Sequence, residues 1–294
     1  MKYPKLNILV AFPYFKKSIY DLLNNKDPEK FRLIVDSGAF TAWNTGREIN
    51  FDDYCKFLKT IPSKWEYKAV QLDVFGDAEK TYINYQKMLD LGFNDIMPVF
   101  TRGDTLERLE EFYTHTDYIM FGGIVVGGEN KNYVKWFCEQ NKGRKAHWLG
   151  FVNTDFMKKY KPYSVDSSTV FGTQRFGSMY VPTGYGELKV VRKKEFAKRP
   201  ADWVIKGLMR SGCTMADIQL LSKSEAWAGG ATQDTIDGKI LKGTASFMGI
   251  KGHVKRAVDV EKHLGTKIYF AVGNASQLEN IFSAYDQLIE RNCI

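Results

Sequence analysis

Three aspartates each stand directly after a short hydrophobic run, a position in which a carboxylate can act as an acid, a base or a nucleophile. They are Asp36, Asp73 and Asp166. Aspartate is rarely buried unless it is paired or reactive, so one such residue alone would indicate a turn or a helix cap. Three of them, all after buried runs, favour a shared acidic site in which Asp36 and Asp166 are the candidate catalytic pair.

The hydrophobic runs that precede these residues belong to a set of eight. Each is three to seven residues long and apolar on both faces, which is typical of strands in a parallel sheet. The runs are 6–12, 32–35, 68–72, 95–100, 118–121, 145–151, 163–165 and 267–272. Amphipathic segments such as 77–91, 105–113, 132–140 and 275–289 separate or follow them. This alternation predicts an α/β protein, and eight strands favour a closed (β/α)8 barrel over an open doubly wound sheet.

One long interval interrupts the alternation between the seventh and eighth predicted strands. It covers residues 171–265 and is too long to be a structureless loop in a compact domain. Helices are expected at 201–209, 215–226 and 253–264, and the stretch 189–210 carries eight basic residues against two acidic ones. We interpret it as a partly helical, basic insertion within a single barrel domain of residues 1–294.

The composition restricts the partners of the protein. The 294 residues carry a formal net charge of +8, which favours a polyanionic partner, although a basic soluble protein without one is an open alternative. The four cysteines lack the spacing of a disulfide framework or a zinc site and are typical of a reducing compartment. No signal peptide or membrane span is visible, so a cytoplasmic location is expected. Of the six tryptophans, Trp203 and Trp227 are expected in the core rather than as wedges between bases.

Four short motifs, in order between residues 32 and 175, resemble those of the tRNA-guanine transglycosylases. The segment 35–40, V-D-S-G-A-F, resembles the D-S-G-G-F motif of that family, and 118–127, Y-I-M-F-G-G-I-V-V-G, resembles its G-G-L-A-V-G-E loop. The segment 147–150, H-W-L-G, resembles the family's H-x-L/M-G strand, and 165–168, V-D-S-S, stands where the family carries its nucleophile. The resemblance covers about half of the chain.

The resemblance implies a role for each matching residue. Asp166 would attack C1′ of the sugar and form a covalent glycosyl-enzyme, and Asp36 would be the general acid/base. Asp73 would bind the edge of the exchanged base, since a carboxylate accepts hydrogen bonds from ring and exocyclic N–H groups together. The remaining implied base-binding residues are Ser37, Phe100, Gly122, Gly123, Ile124, Leu149 and Gly150.

Two departures from the family pattern change the expected substrate. The family's cysteine-rich zinc site has no counterpart, so no metal and no other cofactor is predicted. The family's V-Q-G strand end is V-F-T at 99–101, where Phe100 can stack on a base but cannot donate a hydrogen bond to it. A shorter chain without zinc is similar to phage-encoded transglycosylases that replace guanine in DNA by a 7-deazaguanine such as preQ₀, a modification expected to protect phage DNA from restriction.

Base exchange in DNA is therefore the expected function, with the free deazapurine as second substrate and the cytoplasm of the phage host as location. The expected phosphate contacts are Gln174, Arg175, Lys193, Lys194, Lys198 and Arg199. The alternatives are the same exchange on tRNA, hydrolysis by a nucleosidase or glycosidase that uses the same two carboxylates, and a non-catalytic nucleic-acid-binding barrel. The sequence leaves open whether the protein is a homodimer.

Overall fold

A computed structural model describes residues 3–125, 128, 130–172, 178–184, 186–196, 200–222, 227, 235–236, 239–240 and 244–294. These residues form two compact units. The first consists of Asn7–Ser167 and Ile268–Gly273, and the second consists of Met1–Leu6, Ser168–Lys267 and Asn274–Ile294.

The first unit is a parallel β-barrel surrounded by helices. Its strands are β1 (Leu6–Ala11), β2 (Phe31–Asp36), β3 (Tyr67–Val70), β4 (Ile96–Met97), β5 (Val99–Phe100), β6 (Tyr118–Phe121), β7 (Lys145–Trp148), β8 (Ser164–Ser167) and β13 (Lys267–Val272). Its helices are α1 (Lys17–Asn24), α2 (Ala39–Thr45), α3 (Phe51–Leu58), α4 (Ala78–Asp90), α5 (Leu106–His115), α6 (Lys131–Asn141) and α7 (Thr154–Tyr160). All eight predicted strands are confirmed.

The sheet closes on itself through the segment Ile96 to Phe100. The strand order is β4-β3-β2-β1-β13-β8-β7-β6-β5. β4 pairs with β3 and β5 pairs with β6, while only Pro98, which has no N–H to donate, separates β4 from β5. Together they act as one barrel strand, so the architecture is a (β/α)8 barrel and the open-sheet alternative is excluded.

The interior of the barrel is filled by side chains from most of the strands. The buried cluster contains Leu9, Ile34, Val70, Met97, Val99, Tyr118, Met120 and Tyr269. Side chains two residues apart in a strand point to the same face, so Asp36 continues the inward-facing column of Ile34. The catalytic candidates therefore occupy the carboxyl ends of strands whose preceding residues build the core.

The second unit holds the insertion and the last helix of the chain. Its strands are β9 (Ser178–Gly184), β10 (Glu187–Arg192), β11 (Thr235–Ile236) and β12 (Lys239–Ile240). Its helices are α8 (Lys193–Phe196), α9 (Asp202–Arg210), α10 (Met215–Leu221), α11 (Ala245–Leu264) and α12 (Ala275–Glu290). β9 and β10 form an antiparallel hairpin that the sequence analysis did not predict, and α11 begins eight residues before the predicted start.

Two glycines allow helices of the second unit to pack closely on strand β9. A Cβ atom on Gly207 of α9 would lie 2.4 Å from the carbonyl oxygen of Pro182, and one on Gly252 of α11 would lie 2.4 Å from that of Tyr180. Because no side chain fits in either gap, glycine is required at both positions for this backbone approach.

The two tryptophans of the second unit that were expected in the core differ in exposure. Trp227 is buried, as predicted, whereas Trp203 is 40% exposed, so the prediction of a core position for Trp203 is wrong.

Candidate active site

Asp36 ends strand β2 and is held by the turn that follows it. Gly38 has φ +88° and donates its backbone N–H to Asp36 Oδ2 at 2.9 Å, and α2 begins directly after it. A Cβ atom on Gly38 would lie 2.4 Å from Cδ of Pro13. Both the left-handed backbone and the lack of space require glycine, so this turn fixes the direction of the Asp36 carboxyl group.

Asp73 lies close to Asp36 and is bridged to the same turn. The hydroxyl of Ser37 donates to Asp73 Oδ1 at 2.5 Å, and Ser37 is fully buried. Burial raises the pKa of Asp73, and the hydrogen bond from Ser37 opposes this rise. The two acids that follow separate strands therefore form one cluster, as the sequence predicts.

The environment of Asp36 suits a group that exchanges protons near neutral pH. Burial raises its pKa from 3.8 to about 7, and the negative charge of Asp73 adds to the rise. The N–H of Gly38 lowers the pKa, and Asp166 raises it again as the next contribution. A carboxyl group with a pKa near 7 can donate a proton and take one back at little energetic cost, which general acid/base catalysis requires.

Tyr54 of α3 supports both acidic strand ends from outside the sheet. Its buried hydroxyl donates to the carbonyl oxygen of Val70 at 2.6 Å and lies 3.4 Å from that of Val35. Burial raises the pKa of Tyr54 well above its usual value, and the charges of Asp36 and Asp73 add to this effect. The phenol therefore stays protonated and ties β2 to β3 where the two aspartates emerge.

Asp166 is held from one side by a backbone N–H and a histidine. Its Oδ1 atom accepts from the N–H of Gly150 at 2.7 Å and lies 3.1 Å from Nε2 of His147. Asp166 is 8% exposed and His147 is fully buried. These contacts fix the orientation of the carboxyl group.

His147 belongs to a buried chain of polar side chains that runs into the barrel. Its Nδ1 atom lies 2.5 Å from the hydroxyl oxygen of Ser164, which lies 2.5 Å from that of Tyr118. If Nε2 donates to a carboxylate at Asp166, a neutral imidazole must accept at Nδ1 from Ser164, and Ser164 must then accept from Tyr118. In this arrangement His147 and Ser164 each donate one hydrogen bond and accept one, and Tyr118 donates to Ser164.

Several of the backbone groups that were expected to bind a base form hydrogen bonds within the barrel instead. The N–H of Gly122 donates to the carbonyl oxygen of Phe100, and the N–H of Leu149 donates to that of Phe121. The carbonyl of Ile124 accepts from the N–H of Asn130. Gly123 has φ +71°, and a Cβ atom added to it would lie 3.1 Å from Oγ1 of Thr101. The structure thus brings this loop beside the barrel end, with these backbone groups already paired.

Phe100 does not join the acidic cluster. Its neighbour Val99 faces the barrel interior, so the alternation of side chains directs Phe100 outwards to the helices. The ring is fully buried and packs on Trp136 and Phe137 of α6, with centroid distances of 6.3 and 5.7 Å. The position of Phe100 therefore does not support its interpretation as a residue that stacks on a base.

Three aromatic side chains lie beside the acidic turn and were not assigned a role from the sequence. Phe40 and Trp43 on α2 are 52% and 58% exposed, which is unusual for such large apolar groups. The centroid of Phe75, two residues after Asp73, lies 4.4 Å from that of Trp43 and 5.7 Å from that of Phe40. We call these three residues the aromatic surface. In the sequence, these aromatic residues could have been found by their positions, because each follows Asp36 or Asp73 by two to seven residues.

Two of the six predicted phosphate contacts lie in the described part of the second unit. They are Lys193 and Lys194 of α8, and both are exposed. Gln174, Arg175, Lys198 and Arg199 lie outside the described residues.

Neither a metal site nor a membrane span is found in the part of the chain that the structure describes. No three His, Cys, Asp or Glu side chains come together there as a metal ion would require. The four cysteines, two buried and two partly buried, are all free thiols. No helix among the described residues is long and apolar enough to cross a membrane.

Comparisons of the chain with protein-family models, with curated proteins and with solved structures gave no match.

Proposed function

We propose that this protein is a guanine transglycosylase that exchanges guanine in DNA for a 7-deazaguanine base through a covalent intermediate on Asp166. The observation that carries the proposal is the difference between the environments of the two catalytic candidates. Burial, and after it the negative charge of Asp73, raise the pKa of Asp36 to about 7, whereas Oδ1 of Asp166 accepts an N–H from Gly150 and lies beside Nε2 of His147. Two carboxyl groups with such different environments suit an acid/base and a nucleophile.

In the first step the nucleophile displaces guanine. Oδ2 of Asp166, which makes neither of the two contacts described above, forms a bond to C1′ of the nucleotide. The bond between C1′ and N9 breaks, its electron pair leaves with the base, and protonated Asp36 gives its proton to the departing guanine. This step leaves a glycosyl ester on Asp166 and a carboxylate at Asp36.

In the second step the incoming deazapurine restores the enzyme. Its N9–H gives the proton to Asp36 as N9 attacks C1′, and the ester bond to Asp166 breaks with its electron pair returning to the carboxylate. Protons and charges therefore balance over the exchange. Asp73, hydrogen-bonded to Ser37 beside Asp36, is the group proposed to bind the edge of either base.

The aromatic surface supports a nucleobase rather than a carbohydrate as the leaving group. Exposed aromatic rings beside a pair of acids offer a stacking partner to a flat base, and stacking tolerates the exchange of one purine for another. A guanine in a duplex would have to be flipped out of the stack to reach these acids. The choice of DNA over tRNA depends on the resemblance and on the absence of the family's zinc cysteines.

The test is an exchange assay with labelled guanine on DNA and on tRNA in parallel. We expect label to enter DNA with the wild-type protein and not with Asp166→Ala. Asp95→Asn, which changes an exposed carboxylate on the same barrel, is the matched control and should retain activity. Label in tRNA alone would contradict the DNA assignment, abasic sites without label would indicate a hydrolase, and binding without either product would indicate a non-catalytic protein.

A further inference from the structure

The second unit contains a basic cleft between helix α11 and the turn of the β9–β10 hairpin. Its volume is about 380 Å³, and its apolar and backbone wall is formed by Pro182, Gly184 and Gly186. The cleft is not part of the acidic site, all of whose residues lie in the first unit. It has no role in the chemistry proposed above.

Cations dominate the charged side chains that line this cleft. Arg210, Lys255, Arg256 and Lys262 face two carboxylates, those of Glu187 and Asp259. Lys255 forms an ion pair with Asp259 one helical turn away, so part of the negative charge is already neutralised. The remaining positive potential favours an anionic ligand.

Two arginine side chains of the cleft, Arg256 and Arg210, are held in place by hydrogen bonds to backbone carbonyl oxygens. The guanidinium of Arg256 is half-buried, and its Nε donates to the carbonyl oxygen of Gly186 at 2.6 Å, which fixes the side chain against the hairpin turn. Arg210 reaches the same hairpin through a bond from Nη1 to the carbonyl oxygen of Thr183 at 3.3 Å. Two arginines held by backbone carbonyls are pre-oriented donors, and guanidinium groups match phosphate oxygens in shape and charge.

The basic character continues from the cleft along the exposed face of α9. Trp203, Lys206 and Arg210 are exposed and stand three and four residues apart, so they share this face. Trp203 is 40% exposed, and Nζ of Lys189 on β10 lies 5.6 Å from the centre of its indole ring. A large aromatic ring flanked by cations therefore adjoins the cleft through Arg210.

We propose that the cleft and this face of α9 bind a single nucleic-acid strand, with a phosphate in the cleft and an unpaired base stacked on Trp203. Alternating cations and exposed aromatic rings are the features by which proteins hold single strands without reading their sequence. The phosphate chemistry rests on the charges and the cleft alone, whereas the identity of the polymer as DNA rests on the proposed function.

The experiment is a binding titration of the full chain with a fluorescent single-stranded oligodeoxynucleotide at several salt concentrations. The cleft variant is Arg210→Ala with Lys262→Ala, and the charge-matched control is Lys87→Ala with Lys135→Ala on exposed helical positions of the barrel. If both cleft residues contact phosphates, the slope of log affinity against log salt should fall by roughly 1.4 in magnitude. Trp203→Ala should weaken binding by at least about fivefold, because stacking on an aromatic ring contributes on that scale.

A second arm separates a strand-binding surface from a site for free phosphate. Inorganic phosphate should compete with the oligonucleotide more strongly than chloride at equal ionic strength, and this difference should disappear in the cleft variant. The inference is wrong if the wild-type protein binds phosphate but does not bind the oligonucleotide. It is also wrong if the cleft variant and its control show equal salt slopes.

The outcomes also distinguish this inference from the proposed function. If the wild-type protein binds DNA but exchanges no base, and the cleft variant loses this binding, only the proposed function is contradicted. Base exchange by a wild-type protein whose cleft and Trp203 variants bind DNA normally would contradict only the present inference.

Discussion

Replacing Asp36 by Asn should stabilise the protein, and the gain should grow as the pH rises. In the folded protein the pKa of Asp36 is raised from 3.8 to about 7, first by burial and then by the charge of Asp73. Between these two values the folded state holds a proton that the unfolded state has released. The carboxyl group therefore makes no difference to stability below about pH 4, opposes folding increasingly as the pH rises, and has its full unfavourable effect above about pH 7.

The size of this effect follows from the two pKa values. At about 1.4 kcal/mol for each pH unit, a rise from 3.8 to about 7 corresponds to at most about 4 kcal/mol at high pH. An uncharged Asn keeps an oxygen that can accept the N–H of Gly38, so it removes the charge without removing the turn. The gain from Asp36→Asn should therefore be about 2 to 3 kcal/mol larger at about pH 8 than at about pH 5.

The assay is denaturant unfolding of the wild-type protein and of Asp36→Asn at these two pH values. Asp95→Asn, which changes an exposed carboxylate, serves as the control and should show no gain that increases with pH. A gain of equal size at both pH values, or a loss of stability at about pH 8, would show that the pKa of Asp36 is not raised in the folded protein.

Three further substitutions test the parts around the two acids. Gly38→Ala should destabilise the protein by more than about 2 kcal/mol in denaturant unfolding, because there is no space for its Cβ atom. The control Gly46→Ala, at a glycine with φ +64° and no atom within 4 Å of the added Cβ, should lose only about 1 kcal/mol. Equal losses would show that the lack of space at Gly38 has no effect. Ser37→Ala removes a hydrogen bond that lowers the pKa of Asp73, so the pH dependence of base binding should move to higher pH, and an unchanged profile would remove Ser37 from the site. His147→Gln should slow formation of the covalent intermediate by roughly 10- to 100-fold in single-turnover experiments with little change in DNA binding, and an unchanged rate would deny it a role in orienting the nucleophile.

The eight strands could be predicted because strands of a parallel barrel are buried on both faces and appear as continuous apolar runs. The positions of Asp36, Asp73 and Asp166 followed, since the residue after each run must lie at the carboxyl end of the barrel. The neighbours of these acids were harder to predict. Ser164 and Tyr118 lie far from His147 in sequence, and only the pairing of β6, β7 and β8 brings the three together.

Phe100 and the insertion show where the sequence pattern was insufficient. Phe100 lies in a strand interrupted by Pro98, and its face becomes evident only when Val99 is known to point inwards. In the insertion, many basic residues surround the apolar residues Met179, Val181 and Val191, which are buried in the hairpin. The two hairpin strands do show a signal in sequence, a Gly-x-Gly turn at 184–186 between β-branched and aromatic residues.

Locating the covalent intermediate tests directly whether Asp166 is the nucleophile. The protein is incubated with DNA, quenched under denaturing conditions and digested, and its peptides are analysed by mass spectrometry. We predict a sugar-linked adduct on the peptide that contains Asp166, and its loss in Asp166→Ala while DNA binding is retained. Adducts at wild-type levels in that variant, or an adduct on another residue, would contradict the assignment of Asp166 as the nucleophile.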